Sequence, residues 1–226
     1  APRGMEFRVF KRGGGLFVEH ASLFGDRNAV DFRRDVYYHC PGNPHGVKLR
    51  GKGSGEEKLE CKRLVEKKKR GCEKYEKKRC RSLEAVAEIC GKDDGGGALF
   101  DEASAKAIAV EKVVHKAWLR AGEIPGAGRD AAEPPGAPGP RLRFERTILT
   151  VEGATWQSVC IEAESAKDVY AGVGVLFELP TDDWDRSMLP KDVLVGGYPT
   201  FLEDVAASLG LKPARVVSGP GDSPAT

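Results

Sequence analysis

Two short runs of alternating residues carry much of the chemistry in this sequence. In "GVKLR" Val47 and Leu49 alternate with Lys48 and Arg50, and in "LECK" Leu59 and Cys61 alternate with Glu60 and Lys62. Successive side chains of a strand point to opposite faces, so these runs, joined by a Gly/Ser/Glu turn, predict a hairpin with one apolar and one charged side. The device recurs. "RLRFERTILTV" sets Arg141, Arg143, Glu145 and Thr147 against Leu142, Phe144 and Ile148, and "SVCIEAE" sets Ser158, Cys160, Glu162 and Glu164 against Val159, Ile161 and Ala163. In "EFRVF" Glu6 and Arg8 share a face. Lys and Arg donate to phosphate oxygens, whereas a few glutamates hold a divalent cation, and magnesium commonly takes one or two carboxylates plus substrate phosphates. Many cations with a few acids on one sheet face therefore suit a polyphosphate-and-metal site.

The elements that must position these residues are mostly strands. An ordinary antiparallel sheet has one solvated face, yet here the polar faces hold Arg, Lys and Glu rather than Thr, Ser or Gln. A sheet closed with that face inward is costly. Two positive charges about 6 Å apart repel by roughly 2.8 kcal/mol at an effective dielectric near 20, so carboxylates or a bound anion must offset them.

The reading along the chain begins with a leader before Met5 and a first strand. Leu16 to Phe24 is expected to be extended or partly helical, and "RRDVYYHCPGNPHG" is an aromatic strand stopped by a turn. "GKGSG" is a hairpin turn, since no Gly-Lys-Ser/Thr opens a helix there. Gly71 turns the chain before a strand over Glu73 to Arg79. Ser82 caps a short helix through Gly91. Ala107, Val110, Val114 and Trp118 recur at three or four residues and predict a longer helix over Asp101 to Arg120. Residues 123–140 read as a Pro/Gly linker inserted in a single domain of residues 5–211. Tyr198 to Leu211 reads as a last helix, and residues 212–226 as a disordered tail.

Composition limits the function classes. The 226 residues carry 36 Lys plus Arg against 34 Asp plus Glu, so the whole molecule is not a polycation. Between Lys62 and Arg81 there are eleven basic and three acidic residues, and an anionic partner would meet that segment first. No run resembles a signal peptide or membrane span, and the six cysteines lack Cys-x-x-Cys spacing, which predicts a reducing, cytoplasmic setting with no membrane partner. His39, Cys40 and His45 do not make up a tetrahedral zinc set. Trp118, Trp156 and Trp184 read as packing residues, His115 as a surface or core side chain, and Lys67 to Arg70 as a solvated loop.

The order of these motifs resembles the CYTH domains, or triphosphate tunnel metalloenzymes. "RDVYYHCPG" is similar to the family's D-x-Y-Y strand at Asp35, Tyr37 and Tyr38; "GVKLRGK" to its G-x-x-L-R-x-R strand, with Lys52 in the final basic place; and "LECK" to its L-E-x-K strand. "GCEKYEKK" resembles the following strand, with Tyr75 and Lys77. The similarity spans roughly residues 5 to 165.

The resemblance implies an α+β fold with an eight-stranded antiparallel closed tunnel, helices outside, hydrolysing phosphoanhydrides with Mg²⁺ or Mn²⁺. Arg8, Lys48, Arg50, Lys52, Lys62, Lys77, Arg141 and Arg143 would grip the phosphates of a small-molecule triphosphate or polyphosphate, such as inorganic triphosphate, thiamine triphosphate or a nucleoside triphosphate. Glu6, Glu60 and Glu162 would be catalytic, and Glu6, Glu162 and Glu164 would hold the metal, in a monomer or homodimer. One departure stands out. The family's first strand carries E-x-E-x-K, whereas here Arg8 occupies the second glutamate's place and Lys11 falls one place late, on the face opposite Glu6. A phosphate-binding module without catalysis is therefore an alternative, as is an external RNA or polyanion binder using Lys62 to Arg81.

Overall fold

In the computed structural model, residues 4–16, 30–90, 100–120, 141–180 and 183–210 are described. Strands β1 (Met5–Arg12), β2 (Val30–His39), β3 (Gly46–Arg50), β4 (Lys58–Lys67), β5 (Glu73–Arg79), β6 (Lys106–Arg120), β7 (Arg141–Val151) and β8 (Ala154–Ala163) pair antiparallel in the order β5-β4-β3-β2-β6-β7-β8-β1. The ends of that row then meet: Met5 pairs with Lys74 and Glu6 with Glu73, closing the sheet into an eight-stranded barrel. A ninth strand, β9 (Leu194–Val195), adds to the outer stretch of β1. Three helices, α1 (Leu83–Cys90), α2 (Ala166–Leu176) and α3 (Tyr198–Ser208), pack outside.

The expected helix over Asp101 to Arg120 is instead the 15-residue strand β6. Val110, Val114 and Trp118 are four residues apart, a spacing that satisfies a helical stripe and a two-residue alternation equally well. The alternation wins because Ile108, Val110, Val113 and Val114 are β-branched and because both edges find partners, β2 on one side and β7 on the other. The other two expected helices form: Ser82 Oγ accepts from the Ala85 amide at the start of α1, and Pro199 sits in the first turn of α3. The linker 123–140, the tail 212–226 and most of Leu16 to Phe24 lie outside the described residues.

Alternation separates two environments. Phe7, Val9, Leu142, Phe144, Val159 and Ile161 point outward and are covered by Val169, Val173 and Leu176 of α2 and by Trp184. Val47 and Cys61 point outward beneath Val86 and Cys90 of α1. The inward residues divide along the barrel axis. At one end Phe10, Ile108, Leu149, Val151 and Trp156 meet Phe201, Leu202 and Val205, so α3 lies across that end as an apolar plug. The other end is charged and holds the cavity. Trp156 and Trp184 pack as expected, Trp156 edge-on to Phe201 and Trp184 edge-on to Phe7.

Gly71, in the turn from β4 to β5, holds φ of +92°, and a Cβ there would lie 2.8 Å from Val195 Cγ1. Gly71→Ala is expected to cost roughly 1–3 kcal/mol, from left-handed strain and overpacking, read as a lower urea midpoint. All six cysteines are free thiols. Among the described residues, no helix is long and apolar enough to cross a membrane.

Candidate functional site

The charged half of the barrel holds a cavity of about 130 Å³, several times the roughly 30 Å³ that one water occupies in the liquid. An eight-stranded barrel has room inside for its own side chains or for one small ligand. Each strand supplies the wall. The cations are Arg8 from β1, Arg33 from β2, Lys48 and Arg50 from β3, Lys62 from β4, Lys77 from β5, Lys116 from β6 and Arg143 from β7. The carboxylates are Glu6 from β1, Glu60 from β4, Glu145 from β7 and Glu162 from β8. Eight basic groups line the space against four acidic ones, and Asp31 and Asp35 pair with Arg33, Lys48, Arg50 and Lys116 from outside the lining, so the positive excess is smaller than the lining alone gives.

Within the wall the acids are already engaged. Lys62 Nζ donates to Glu6 Oε2 at 2.8 Å, and Arg8 donates to Glu145 Oε1 at 3.0 Å and to Ser158 Oγ at 3.2 Å. Arg143 bridges Glu162 at 2.7 Å and Glu145 at 3.1 Å. Glu60 lies 3.7 Å from Lys48 and 3.9 Å from Arg50. Burial alone would raise the Glu6 pKa, but Lys62 and Arg8 outweigh it and hold the carboxyl below its usual range. Glu145 follows the same pattern, with Arg8 and Arg143 overcoming its burial. Both are anions at neutral pH.

Behind the cavity lies a second layer. Asp35, fully buried, accepts from Lys48 at 3.2 Å and from the Gly51 amide at 3.2 Å, and lies 3.1 Å from Lys112 and 3.4 Å from Arg33. Lys112 donates to Tyr37 Oη at 2.5 Å and its ammonium stands 3.9 Å from the Tyr198 ring centroid. Arg8 approaches the same ring at 5.0 Å. Tyr198 thus enters the lumen from α3 between two cations. Glu73 accepts from the Gly197 amide at the start of α3 and from Tyr75 Oη, fixing the plug to β5.

Of the residues named from sequence, Glu6, Arg8, Lys48, Arg50, Glu60, Lys62, Lys77, Arg143 and Glu162 meet in this cavity. Lys52 and Glu164 do not. Lys52 is exposed in the turn after β3, where its amide bonds Arg34 O, and Glu164 is exposed past the end of β8. The Arg141 side chain lies outside the described residues. Lys11 points away from the lumen to Asp192, as alternation requires. Arg33, Lys116 and Tyr198 are wall residues that sequence reading did not single out, and Glu145, read on the charged face of its strand, was given no role there. Arg33 alternates with Asp35 and Tyr37, a signal present in "RRDVYY", whereas the helical reading of β6 concealed Lys116.

Among the described residues, one cluster could hold a divalent metal. Glu6 and Glu162 are cross-strand partners, and their oxygens lie with Cys160 Sγ within 4.8 Å of one another. Burial pushes the Cys160 thiol up, so it stays protonated, and a soft neutral thiol is a poor magnesium ligand. Two carboxylate oxygens remain, which fits magnesium or manganese completed by substrate oxygens and water. The residues once weighed for zinc face different partners: His39 Nε2 lies 3.4 Å from Glu203, Cys40 contacts Asp101 O, and His45 Nδ1 accepts from the Leu64 amide.

Most of the external basic segment is paired rather than free. Arg63 and Lys78 meet Glu76, Lys67 meets Glu73, Lys68 meets Glu66, and Arg70 stands over Tyr170 and Trp184.

No protein-family model and no curated protein matches the chain. Among solved structures it is similar to a conserved hypothetical protein from Pyrococcus furiosus, at 15% identity over 79% of this chain and 93% of that one, with a TM-score of 0.38.

Proposed function

We propose that the barrel is a phosphate-chain tunnel that binds a triphosphate or another phosphoanhydride and hydrolyses it with Mg²⁺ or Mn²⁺. The observation that carries this reading is the convergence of eight cations from seven strands on one small cavity whose wall carries four carboxylates, with Asp31 and Asp35 alone among the described residues pairing to them from behind, so that cations still outnumber acids. Such an excess inside a barrel is expensive unless an anion joins it. Arg8 also keeps a spare donor, because its Nε is buried and has no protein partner.

Binding exchanges partners. Lys62 leaves Glu6 and Arg143 leaves Glu162 to donate to phosphate oxygens, and the two carboxylates become available together. A magnesium or manganese ion held by Glu6 and Glu162 would neutralise phosphate charge and lower the pKa of a bound water. Arg8 stays anchored to Glu145 and Ser158 and presents its remaining donor. Arg50 and Lys48 hold Glu60 at the cavity wall, where its carboxylate can orient a water. No covalent nucleophile is required. Arg63, Lys67, Lys68, Arg70 and Lys78 of the outward segment have acidic or aromatic neighbours, and no observation favours an external polyanion site over the tunnel.

Phosphate release from inorganic triphosphate and ATP, with magnesium, manganese or EDTA, tests the proposal. Metal-dependent release is expected, absent in EDTA and reduced about a hundredfold or more in Glu162→Gln. Binding of triphosphate without release under any metal would remove hydrolysis from the account and leave an anion-binding tunnel.

A further inference from the structure

Tyr37 belongs to two environments at once. Its ring packs in the apolar plug cluster with Ile108, Val110 and Phe201, yet the residue also lines the cavity. Alternation along β2 explains the position: Arg33, Asp35 and Tyr37 share the inward face, whereas Tyr38 points outward and packs against the cluster beneath α1. The ring is held in place. It stacks on Tyr198 with centroids 4.7 Å apart and planes 16° apart, and the ammonium groups of Lys112 and Lys48 stand 4.6 Å and 5.7 Å from its centre.

The hydroxyl has one bond made and one left to make. Lys112 donates to its oxygen at 2.5 Å, and an ammonium has no acceptor to offer in return. The phenol proton therefore points elsewhere, and among the described residues no acceptor takes it. Burial, with Tyr198 and Asp35 close by, pushes the phenol pKa up, so the proton stays on the oxygen. Burial and Lys48 press Lys112 to lose a proton, whereas Asp35 at 3.1 Å favours the ammonium, and an anion in the cavity acts in the same sense as Asp35. Tyr37 is only 2% exposed, and a buried donor without a partner costs free energy until one arrives. The cations of the wall bring a donor and a charge together, so each adds to the repulsion among them. A phenol brings the donor alone.

We propose that the Tyr37 hydroxyl donates a hydrogen bond to the bound anion at the end of the cavity nearest the plug. This rests on the tunnel reading above and adds a neutral contact to the charged grip. It also sets how deep a phosphate chain reaches, because the inward side chains that follow, Phe10 and Ile108, are apolar.

Calorimetric titration of the full chain with inorganic triphosphate in EDTA tests it, on the wild type, on Tyr37→Phe, on Tyr38→Phe and on a chain carrying a ring-fluorinated tyrosine at position 37. Tyr37→Phe is expected to weaken binding by about tenfold, the loss of a hydrogen bond to a charged group. Tyr38→Phe, on the outward face, is expected to change it by less than about twofold. Fluorine makes the phenol a stronger donor and its oxygen a weaker acceptor, so the fluorinated chain is expected to bind more tightly than the wild type, and it carries the test if Tyr37→Phe does not fold. Unchanged or weaker binding by the fluorinated chain would mean that the oxygen serves only as the acceptor that steadies Lys112, and would overturn the donor role. Unchanged affinity in Tyr37→Phe, or equal losses in Tyr37→Phe and Tyr38→Phe, would overturn it as well, and in each of these cases the tunnel reading stands. Failure of the wild type to bind would overturn the tunnel and the donor together.

Discussion

Asp35→Ala is expected to lower the unfolding free energy by about 3–5 kcal/mol, the usual cost of removing one partner from a buried ion cluster. The carboxylate is the only anion within contact distance of Lys112 among the described ion pairs, and both side chains are fully buried. It also holds Lys48 and Arg33 and caps the Gly51 amide. Without it Lys112 has no acidic partner among the described ion pairs, while Lys48 and Arg33 at the cavity wall keep Glu60 and Asp31. For a chain of this length the loss corresponds to a fall of roughly 6–20 °C in Tm. Burial and the neighbouring Lys48 already drive the Lys112 pKa down, so proton loss from Lys112 is an available relief. A fall below about 2 °C would show that this relief is complete and that Asp35 does not hold the cluster.

The same groups set the acid limit of the fold. Burial would raise the Asp35 pKa, but Lys112, Lys48 and Arg33 hold it well below the carboxylate range, as Arg8 and Arg143 do for Glu145. A depressed folded-state pKa contributes stability that is present above the unfolded value, about 4, and is lost as pH falls through the folded value. Tm is therefore expected to stay level down to about pH 5 and to decline below about pH 4, with a shallower decline in Asp35→Ala.

Lys62→Met is expected to weaken inorganic triphosphate binding by about 10- to 100-fold, the range for a hydrogen bond to a charged group, whereas Lys52→Met is expected to change it by less than about twofold. Lys62 leaves β4 toward the lumen and meets Glu6 across the β1–β5 closure, with the Tyr75 ring 5.1 Å from its ammonium. Burial would lower its pKa, but Glu6 more than compensates, so it carries its charge at any working pH. Lys52 is one of the two residues that sequence placed in the site and the fold leaves outside. Titration calorimetry of the two variants separates these positions. Equal losses, or a larger loss for Lys52→Met, would put the anion on the turn rather than in the tunnel.

Alternation made the charged face of β3, β4, β7 and β8 legible, because a strand's two-residue period assigns each side chain to a face without any tertiary knowledge. It does not say where a strand stops. Lys52 follows Lys48 and Arg50 in phase, and Glu164 follows Glu162 in phase, yet Gly51 turns the chain at φ +70° and Ser165 caps α2 immediately after β8. Both residues are therefore in phase and out of the lumen. The period itself failed at Val110, Val114 and Trp118, whose spacing is common to helix and strand, and with it went Lys112, Lys116 and the exposed position of Trp118. Closure was expected from the family resemblance rather than from any local pattern, and it forms, although β1 meets β5 through only two pairs in register. Nor did any local pattern announce that α3 would bring Tyr198 into the lumen: that follows from Phe201, Leu202 and Val205 finding the apolar end of the barrel.

Calorimetric titration of the wild-type chain with inorganic triphosphate in EDTA, at low and at raised salt, tests most directly whether the barrel is a phosphate tunnel. The account predicts saturable binding of one anion per chain, weakening as salt rises because the grip is electrostatic. Absence of heat at low salt, or binding of several anions per chain at equivalent sites, would contradict it.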